Sequence, residues 1–385
     1  MLRLDPTTRP LRAAIDGRAL GSGWGGEETY LRALLAGLAT SAVDGDLYPV
    51  WVRNGVAVPP EMLSAHEIPV RRIAPAPGPW HYAVRFPRAV RRSDDRLDVL
   101  CTTTHAPLRS AVPTAFIIGD LSPLHHPEWF PRHTALRLRT AWPVHARRAG
   151  AILVPSEFTR ADVVDRLGVP AERVFIVPPH SLRPSGHDTD AESVVHAAGI
   201  RRPFVLSLGN LHPRKNVARL IRAFLAASSD RDGPLADHEL VIAGGTWWRD
   251  GEERRLVETA PPGRVRMLGR VPDELRDALL ARATAVAYLS LFEGFGLPPI
   301  EAMAAGTPVL VSTAAALPET CGDGAAYVDP LDIDAIAAGL SAVCADEALR
   351  ARLVARGRVR AATFNAELTG SRAREALAFA AGSPG

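Results

Sequence analysis

The chain has few cysteines, and their placement argues against two kinds of site. Cys101, Cys321 and Cys344 are the three cysteines among 385 residues, they are far apart, and none belongs to a C-x-x-C pair. An odd and scattered set argues against a disulfide framework and against a structural zinc site. We therefore expect a reducing, intracellular compartment and no structural metal.

The chain also lacks a strong excess of charge and any long apolar run. Lys and Arg number 45 against 42 Asp and Glu, and the two signs are largely interspersed, so a basic groove for nucleic acid is not expected. No stretch approaches the roughly 18 apolar residues of a membrane-spanning helix. Residues 1–10 lack the apolar core of a signal peptide. The sequence predicts a soluble, cytoplasmic protein without a transmembrane segment.

One basic stretch, 132–148, has two interpretations. The favoured one is a solvated helix face. The other is a peripheral contact with anionic lipid or with a phosphorylated acceptor. Pro143 is expected to interrupt the helix, which weakens the membrane interpretation.

Short apolar segments alternate with amphipathic ones along the whole chain, and the length suggests two domains. The predicted strands are 12–16, 47–53, 67–73, 97–103, 113–120, 151–156, 173–179, 204–209, 239–245, 264–269, 285–291, 308–312 and 325–329. Buried strands spaced by helices indicate parallel sheets. The predicted fold class is α/β, with two doubly wound Rossmann-like domains facing across a cleft.

A polar, turn-rich stretch, 181–193, is the best domain boundary. The expected division is an N-terminal domain (1–182), a linker (183–200), a C-terminal domain (201–365) and a terminal helical segment. That last segment, 366–385, is expected to pack back on the N-terminal domain. Ligands of such folds bind at the carboxyl ends of the strands.

The hexapeptide GSGWGG (21–26) matches the G-x-G-x-x-G pattern of dinucleotide-binding turns. A dinucleotide-dependent oxidoreductase would need these glycines directly after the first strand and an acid near the end of the second. Here residues 17–20 intervene, and the second strand ends in Arg53 and Asn54. An oxidoreductase is therefore disfavoured.

The most informative stretch is 290–312, SLFEGFGLPPIEAMAAGTPVLVS. It predicts a strand exit at Glu293, a helix opened by Pro298 and Pro299, and a helix end at Gly306. The amides of 294–297 and the helix N-terminus would offer donors to a phosphate. Glu301, expected in the first helical turn, could accept both hydroxyls of a ribose. The competing explanation is that Glu301 only complements the helix dipole.

Around these two glutamates the chain resembles retaining glycosyltransferases of family four, which have the GT-B fold. Glu293 and Glu301, eight residues apart, match the E-x7-E motif, with EGFGLPP and EAMAAGTPV around them. Further matching segments are 126–131 (HPEWFP), 154–169 (VPSEFTRADVVDRLGV), 209–224 (GNLHPRKNVARLIRAF), 240–245 (LVIAGG), 265–283 (VRMLGRVPDELRDALLARA) and 317–330 (LPETCGDGAAYVDP). The resemblance covers nearly the whole chain.

The resemblance implies roles for individual residues. Arg214 and Lys215 would grip the donor diphosphate, a role that suits two cations at a strand-to-helix junction. Glu293 would meet the hydroxyls of the donor sugar, and Glu301 would hold the ribose. Donor-binding roles are implied for Gly26, Gly209, Asn210, Arg270, Phe295, Gly296, Leu297 and Glu301.

On the acceptor side, the sequence of this chain differs from that of the glycosyltransferases that it resembles. Many relatives carry His-Asp after the strand that corresponds to 113–120, whereas this chain has Gly119 and Asp120. Asp120 is retained, and His105 either reaches the same cleft or is an ordinary loop histidine. In this fold GSGWGG would approach the donor diphosphate or the acceptor from the N-terminal domain, and we expect Gly26→Val to block transfer.

The family keeps the anomeric configuration without an established protein nucleophile, which implies front-face transfer assisted by the leaving phosphate. The expected donor is a nucleotide-activated hexose, with GDP-mannose favoured over UDP- or dTDP-linked sugars. The acceptor would be a carbohydrate, a lipid-linked or a small-molecule hydroxyl. No cofactor and no metal are expected.

A metal-dependent GT-A enzyme is disfavoured. Such an enzyme needs Asp-x-Asp after a buried strand, but the triplets at 44–46, 188–190 and 332–334 are typical of turns and helix caps. The adjacent His125 and His126 are expected to shape the HPEWFP loop rather than to bind a metal.

The alternative function that is not enzymatic is a nucleotide-sugar-binding protein whose active site has lost its catalytic residues. Gly119 favours it, because a histidine is common at that position in the look-alikes. The intact glutamate pair and the intact Arg-Lys pair weigh against it. Transfer or hydrolysis of a donor by the purified protein would discriminate, since a pure binder shows neither.

Overall fold

The structure is a computed structural model. It describes residues 9–21, 25–56, 58, 68–75, 80–103, 105, 107, 110–182, 190–245 and 251–383, except for the side chains of 82 and 83. The chain divides into two compact units. Unit 1 comprises Met1–Leu182 and Phe364–Gly385, and unit 2 comprises Arg183–Thr363.

Unit 1 is built on a parallel sheet, which has seven strands among the described residues. The strands are β1 (Ala13–Asp16), β2 (Val50–Arg53), β3 (Val70–Ile73), β4 (Val99–Thr103), β5 (Thr114–Ile117), β6 (Ala151–Val154) and β7 (Val174–Ile176). Their spatial order is β3-β2-β1-β4-β5-β6-β7. The central strands β1, β4 and β6 are buried along their whole length, as expected for a parallel sheet covered on both faces.

The helices of unit 1 follow the strands in α/β alternation. They are α1 (Gly26–Thr40), α2 (Phe86–Arg91), α3 (Ser122–His125), α4 (Arg132–Arg148) and α5 (Glu157–Leu167), and the terminal helix is α14 (Ala366–Ala381). A π-helical turn, His81–Arg85, leads into α2. The hexapeptide GSGWGG lies only partly in this description, because residues 22–24 are outside the described residues.

The terminal helix α14 packs on unit 1, where its closest neighbour is α1. At the crossing, a Cβ atom added to Gly370 would lie 1.9 Å from the carbonyl oxygen of Gly37. A buried ion pair joins Arg374 Nε of α14 to Asp46 Oδ2 at 2.8 Å. Asp46 also accepts a hydrogen bond from the hydroxyl of Tyr48 at 2.7 Å. Close backbone contact and a buried charge pair therefore fix α14 on this unit.

Unit 2 is built on a second parallel sheet, of six strands among the described residues. The strands are β8 (Phe204–Leu208), β9 (Glu239–Ala243), β10 (Val265–Gly269), β11 (Ala285–Tyr288), β12 (Val309–Ser312) and β13 (Ala326–Val328), in the order β10-β9-β8-β11-β12-β13. Its helices are α6 (Ala191–Ala197), α7 (Val217–Ala227), α8 (Glu252–Thr259), α9 (Asp273–Arg282), α10 (Leu297–Ala305), α11 (Leu317–Cys321), α12 (Ile333–Ala345) and α13 (Glu347–Ala362).

The predicted α/β class with parallel sheets is confirmed. Each observed strand lies inside a segment predicted from the sequence, and the observed strands are shorter by a few residues at their ends. The expected interruption at Pro143 is wrong, since α4 runs through it. Proline removes one backbone N–H, but the carbonyl that it leaves belongs to Arg139, on the exposed face of the helix where water can bind it. Among the described residues, no helix is long and apolar enough to cross a membrane.

Candidate functional site

Two adjacent strands of unit 2 deliver the loops that carry the predicted charged residues. β8 and β11 pair in parallel, so both end at the same edge of the sheet. After β8 the chain forms a short 3₁₀ turn, Pro213–Lys215. The amide of Leu291, three residues after β11, donates to the carbonyl oxygen of Arg214 at 2.7 Å. This bond ties the two loops together and places their side chains in one cluster.

The cluster is centred on the carboxylate of Glu293. Glu293 Oε1 accepts from Lys215 Nζ at 2.6 Å and from the Tyr288 hydroxyl at 3.0 Å, and it forms an ion pair with Arg214 Nη1. Arg214 Nη1 also donates to the carbonyl oxygen of Phe292 at 3.1 Å. The side chains of Glu293 and Lys215 are only 8% and 9% exposed. The geometry therefore holds two cations and one anion in a nearly dry environment.

The two cations determine the charge state of Glu293. Burial alone would raise the pKa of this carboxyl, but Arg214 and Lys215, through their charges and hydrogen bonds, hold the pKa well below its usual range. Burial and the neighbouring Glu293 carboxylate raise the pKa of Tyr288, so its hydroxyl keeps its proton and acts as a donor. The cluster of Arg214, Lys215 and Glu293 thus carries a net charge of one positive unit, which favours an anionic ligand.

His212 orients the turn from which the cations project. Its Nδ1 accepts the backbone N–H of Arg214 at 3.2 Å, so that nitrogen carries no proton. Burial and the charges of Arg214 and Lys215 lower the pKa of His212 to about 3. A neutral histidine therefore caps the turn without adding a third positive charge.

Glycines bring backbone close to this cluster where a side chain would collide. Gly296, at the start of α10, has φ of 97°, and a Cβ there would lie 2.4 Å from Leu317 Cδ2. Gly209, at the exit of β8, has φ of 136° and faces the Lys215 side chain. A Cβ on Gly244 would lie 1.8 Å from the Gly209 carbonyl oxygen. The N–H groups of Gly209 and Gly244 donate to the carbonyl oxygens of Ala243 and Gly269, at 3.0 and 2.8 Å, so they complete the backbone bonding at this edge.

Glu301 lies further along α10 than the sequence suggested. Because α10 begins at Leu297, Glu301 belongs to its second turn, and the expectation of a first-turn position is wrong. Leu297 precedes the two prolines, so it takes the first helical position. Glu301 is buried at 7% exposure. The dipole explanation for this carboxylate loses weight, since that effect is confined to the first turn.

The remaining unit 2 residues lie at various distances from the cluster. Asn210 adjoins Gly209, and the side chain of Phe295 is buried beside the glycines of its loop. Arg270 follows β10 and is exposed. Since β10 is two strands from β8 in the sheet, it ends roughly 10 Å from the cluster at the usual strand spacing. Arg270 is therefore at the same edge but outside the charged cluster.

The three predicted residues of unit 1 follow the neighbouring parallel strands β1, β4 and β5. Gly26 begins α1, and a Cβ added there would meet nothing within 4 Å. Asp120 caps the start of α3, where its Oδ1 accepts the Ser122 N–H at 2.8 Å. His105 is buried against the ring of His145, with the ring centroids 5.9 Å apart.

Three of the described aspartates in the Asp-x-Asp triplets have structural roles. Asp190 and Asp332 cap helices α6 and α12 through their side-chain oxygens; Asp188 lies outside the described residues. Asp46 is the buried partner of Arg374. His126 contacts Glu128 at 3.0 Å within the HPEWFP loop, and His125 binds Asp162 of α5 at 2.8 Å. Across the described part of the chain, no group of three potential metal ligands is present.

Sequence reasoning missed Tyr288, although it belongs to the cluster. Its hydroxyl contacts Glu293, and Lys215 Nζ lies 4.4 Å from the centroid of its ring. The available signal was a tyrosine as the last residue of an otherwise aliphatic strand, five residues before Glu293. At that position the ring can pack with the sheet while the hydroxyl reaches the strand exit.

Both halves of the chain match models of known glycosyltransferase families. Residues 24–180 match the model described as Glycosyltransferase Family 4, and residues 188–360 match the model described as Glycosyl transferases group 1. The cluster of Arg214, Lys215 and Glu293 lies within the second match. The two matches are adjacent and together span most of the chain.

Individual relatives agree with the family matches. The O-antigen chain mannosyltransferase B of Escherichia coli is 31% identical over 256 residues, which are 64% of this chain and 65% of that protein. The MMP alpha-(1->4)-mannosyltransferase of Mycolicibacterium hassiacum is 31% identical over 56% of this chain and 50% of that protein. The matches thus span between half and two thirds of the length of these relatives.

A solved structure establishes the fold. The sucrose-phosphate synthase of Thermosynechococcus elongatus superposes with a TM-score of 0.72 at 19% identity, covering 94% of this chain and 96% of that one. The two parallel sheets are those of the GT-B fold. The chain belongs to the glycosyltransferases of the family-four type.

Proposed function

We propose that the chain transfers a hexose, with mannose favoured, from a nucleotide-sugar donor to a hydroxyl acceptor, with retention of the anomeric configuration and without a metal ion. The observation that carries the proposal is the buried cluster of Arg214, Lys215 and Glu293 at the carboxyl edge of the unit 2 sheet. The names of the two mannosyltransferase relatives support the choice of sugar. GDP is the favoured nucleotide, ahead of UDP and dTDP.

The charge of the cluster suits a diphosphate leaving group. When the bond between the anomeric carbon and the phosphate oxygen breaks, negative charge grows on the departing diphosphate. Arg214 and Lys215 are held in place by Glu293 and by the Phe292 carbonyl before any ligand binds. Preorganised cations stabilise such a developing charge without a reorganisation cost. In this proposal the phosphates of the donor bind beside Arg214 and Lys215, which keep their contacts with Glu293.

The carboxylates and glycines would orient the rest of the donor. Glu293 is ionised, so it can accept hydrogen bonds from sugar hydroxyls, and Glu301 would accept the ribose hydroxyls. The backbone N–H groups of Phe295, Gly296 and Leu297 would face the phosphates and the sugar. Gly209 and Asn210 would approach the sugar from the β8 side, and Arg270 would contact the base at the end of β10.

The transfer step follows from these assignments. The acceptor oxygen bonds to the anomeric carbon on the face from which the diphosphate leaves, and the hydroxyl proton moves to a phosphate oxygen. No protein base is required at this step, because the leaving group accepts the proton. Asp120 and His105 of unit 1 are proposed to serve the acceptor side, which takes a carbohydrate, lipid-linked or small-molecule hydroxyl, and Gly26 is proposed to serve the donor.

A donor screen tests this proposal. Thermal unfolding of the purified chain would be measured with GDP-mannose, UDP-glucose and dTDP-glucose, each with and without EDTA. We expect GDP-mannose to raise the unfolding midpoint most, and EDTA to leave that shift unchanged. No shift with any of the three donors would contradict the donor site, and a shift lost in EDTA but restored by manganese would contradict metal independence. A shift without any turnover would identify a non-catalytic binding protein.

A further inference from the structure

A second basic site lies in unit 1, between the edge strand β3 and the helix that follows it. A cavity of about 420 Å³ opens there, lined by β3, by the turn His81–Arg85 and by α2. Four of its lining residues are arginines, Arg72, Arg85, Arg88 and Arg92, and Trp80 also lines it. None of its described lining residues is acidic. The volume is in the range of small-molecule sites, about 300–1,000 Å³.

The arginines converge because of local structure. Phe86 and Val90 of α2 are buried against Trp51 and Ile73, which fixes the apolar face of this helix on the sheet. The spacing of Arg85, Arg88 and Arg92 then places them along one side of the helix. Arg72 projects from β3 toward the same cavity.

No described residue that lines this cavity offsets its positive charge, whereas Asp94 and Asp95 line the adjoining space beside Arg72 and Arg92. The guanidinium of Arg85 donates to the carbonyl oxygens of Ala74 and Pro75, at 3.1 and 3.0 Å, and that of Arg72 donates to Val56 O at 2.8 Å. These acceptors are neutral. Arg88 and Arg92 have no side-chain ion pair among the described residues, and both are exposed.

Two neighbouring titratable groups neither add to nor offset this positive charge. His81 is buried beside the cavity, and burial together with the charges of Arg18, Arg85 and Arg53 lowers the pKa of its imidazole to about 4. The nearby carboxylate of Asp95 is engaged by Arg71 Nη2 at 2.6 Å. The helix dipole explains a preference for arginine near the end of α2, but it does not explain Arg72 of β3.

We propose that this cavity binds a phosphate or diphosphate group, with the indole of Trp80 beside the organic part of the ligand. Trp80 is 57% exposed, which is unusual for so large an apolar side chain. Guanidinium groups bind phosphate oxygens through paired, charge-assisted hydrogen bonds. The ligand is either a free phosphorylated compound or the headgroup of an anionic lipid. The proposal concerns unit 1 alone and does not depend on the donor site of unit 2.

The test uses the full-length chain carrying Arg214→Ala and Lys215→Ala, so that the cations of unit 2 cannot bind the probes. Binding of inorganic pyrophosphate is measured by calorimetry. Binding to vesicles of phosphatidylcholine, with and without phosphatidylglycerol, is measured by flotation. The added variant is Arg88→Gln/Arg92→Gln. Its matched control is Arg201→Gln/Arg202→Gln, which removes two exposed arginines from unit 2.

We expect the Arg88/Arg92 variant to weaken pyrophosphate binding at least about tenfold, whereas the Arg201/Arg202 control leaves it unchanged. If the Arg88/Arg92 variant also loses vesicle binding, the ligand of the cavity is a lipid headgroup. If its vesicle binding is unchanged, or if the parent chain binds no vesicles, the ligand is a free phosphorylated compound. Arg88→Lys/Arg92→Lys keeps the charge and should retain part of the affinity, which separates a binding defect from misfolding. Equal losses in the test and control variants, or no binding of either probe by the parent chain, would overturn the proposal.

Discussion

At the scale of single residues, Glu293 has two distinct relations to the site. It is the counter-ion of Arg214 and Lys215, and in the proposed function it also contacts the sugar of the donor. The motif spacing predicted a functional Glu293 and a functional Arg-Lys pair. It did not predict that the three side chains contact each other, because that contact depends on the adjacency of β8 and β11 in the sheet.

Glu293→Gln separates these two relations. Without the carboxylate charge, Arg214 and Lys215 are more available to phosphates, so the affinity for GDP alone should stay the same or rise. Turnover should fall about a hundredfold, because contacts to the sugar in the transition state are lost. Calorimetry with GDP and initial-rate assays with GDP-mannose check both effects.

The control for that experiment is Glu258→Gln, an exposed position on α8. It should change neither GDP affinity nor turnover. A Glu293→Gln enzyme that lost GDP binding in proportion to its turnover would indicate that the carboxylate only holds the site together.

At the scale of elements, the strands were the most predictable part of the fold. Aliphatic runs such as 151–154 are buried along their whole length, and their composition alone marks them as interior strands. Helix contacts were less predictable. The partner of α14 depends on Gly37 and Gly370, which are 333 positions apart in the printed sequence, and on the buried pair of Asp46 and Arg374.

Gly370→Ala tests the contact between α1 and α14, because the contact determines whether the substitution raises or lowers the free energy of unfolding. Helix propensity alone predicts that alanine stabilises a helix interior by about 1 kcal/mol relative to glycine. The new Cβ would instead lie 1.9 Å from the Gly37 carbonyl oxygen and force the helices apart. We therefore expect a net loss of at least about 1–3 kcal/mol in the free energy of unfolding, as for overpacked cores.

Chemical denaturation of the purified variant measures this loss. Gly26→Ala is the control, since a Cβ at Gly26 meets nothing within 4 Å, and it should leave stability close to that of the parent chain. A stabilised Gly370→Ala protein would show that the two helices are not in close contact.

At the scale of the whole molecule, buried histidines make stability depend on pH. Burial lowers the pKa of His145 to about 4, with His105 and Arg148 adding to the effect, and His212 and His81 behave in the same way. Unfolded chains bind these protons at pH values below about 6.5. Between about pH 6.5 and 4 the unfolded state therefore holds more protons than the folded state, and stability falls as the pH falls.

The prediction is a decline in the unfolding midpoint as the pH falls from 7.5 to 4.5, beginning near pH 6.5. His145→Gln should flatten this decline, whatever its effect at neutral pH, because one proton-binding difference is removed. His133→Gln, on the exposed face of α4, should not flatten it. Identical pH slopes for the parent chain and His145→Gln would contradict the assignment of a neutral buried His145. Thermal scans across the pH series provide the measurement.

The family and fold of the whole molecule were predictable from sequence because the most specific motifs follow parallel strands, whose carboxyl ends lie at one edge of a sheet. Glu293 and Arg214 could thus be assigned to one region although 79 positions separate them in sequence. The acceptor side was less predictable. The residues predicted for it, Asp120 and His105, lie in a turn before a helix and in a buried ring contact, which no spacing pattern specifies.

The central claim is that Arg214 and Lys215 promote departure of a nucleoside diphosphate from a nucleotide sugar. The most direct measurement is the rate of GDP release from GDP-mannose in EDTA, with simple mannosides as acceptors, for the parent chain and for Arg214→Ala and Lys215→Ala. The predicted result is release by the parent chain and a loss of about a hundredfold or more in each variant. Arg231→Ala, an exposed arginine of unit 2, should match the parent chain. Near-normal release by both Arg214→Ala and Lys215→Ala would contradict the claim.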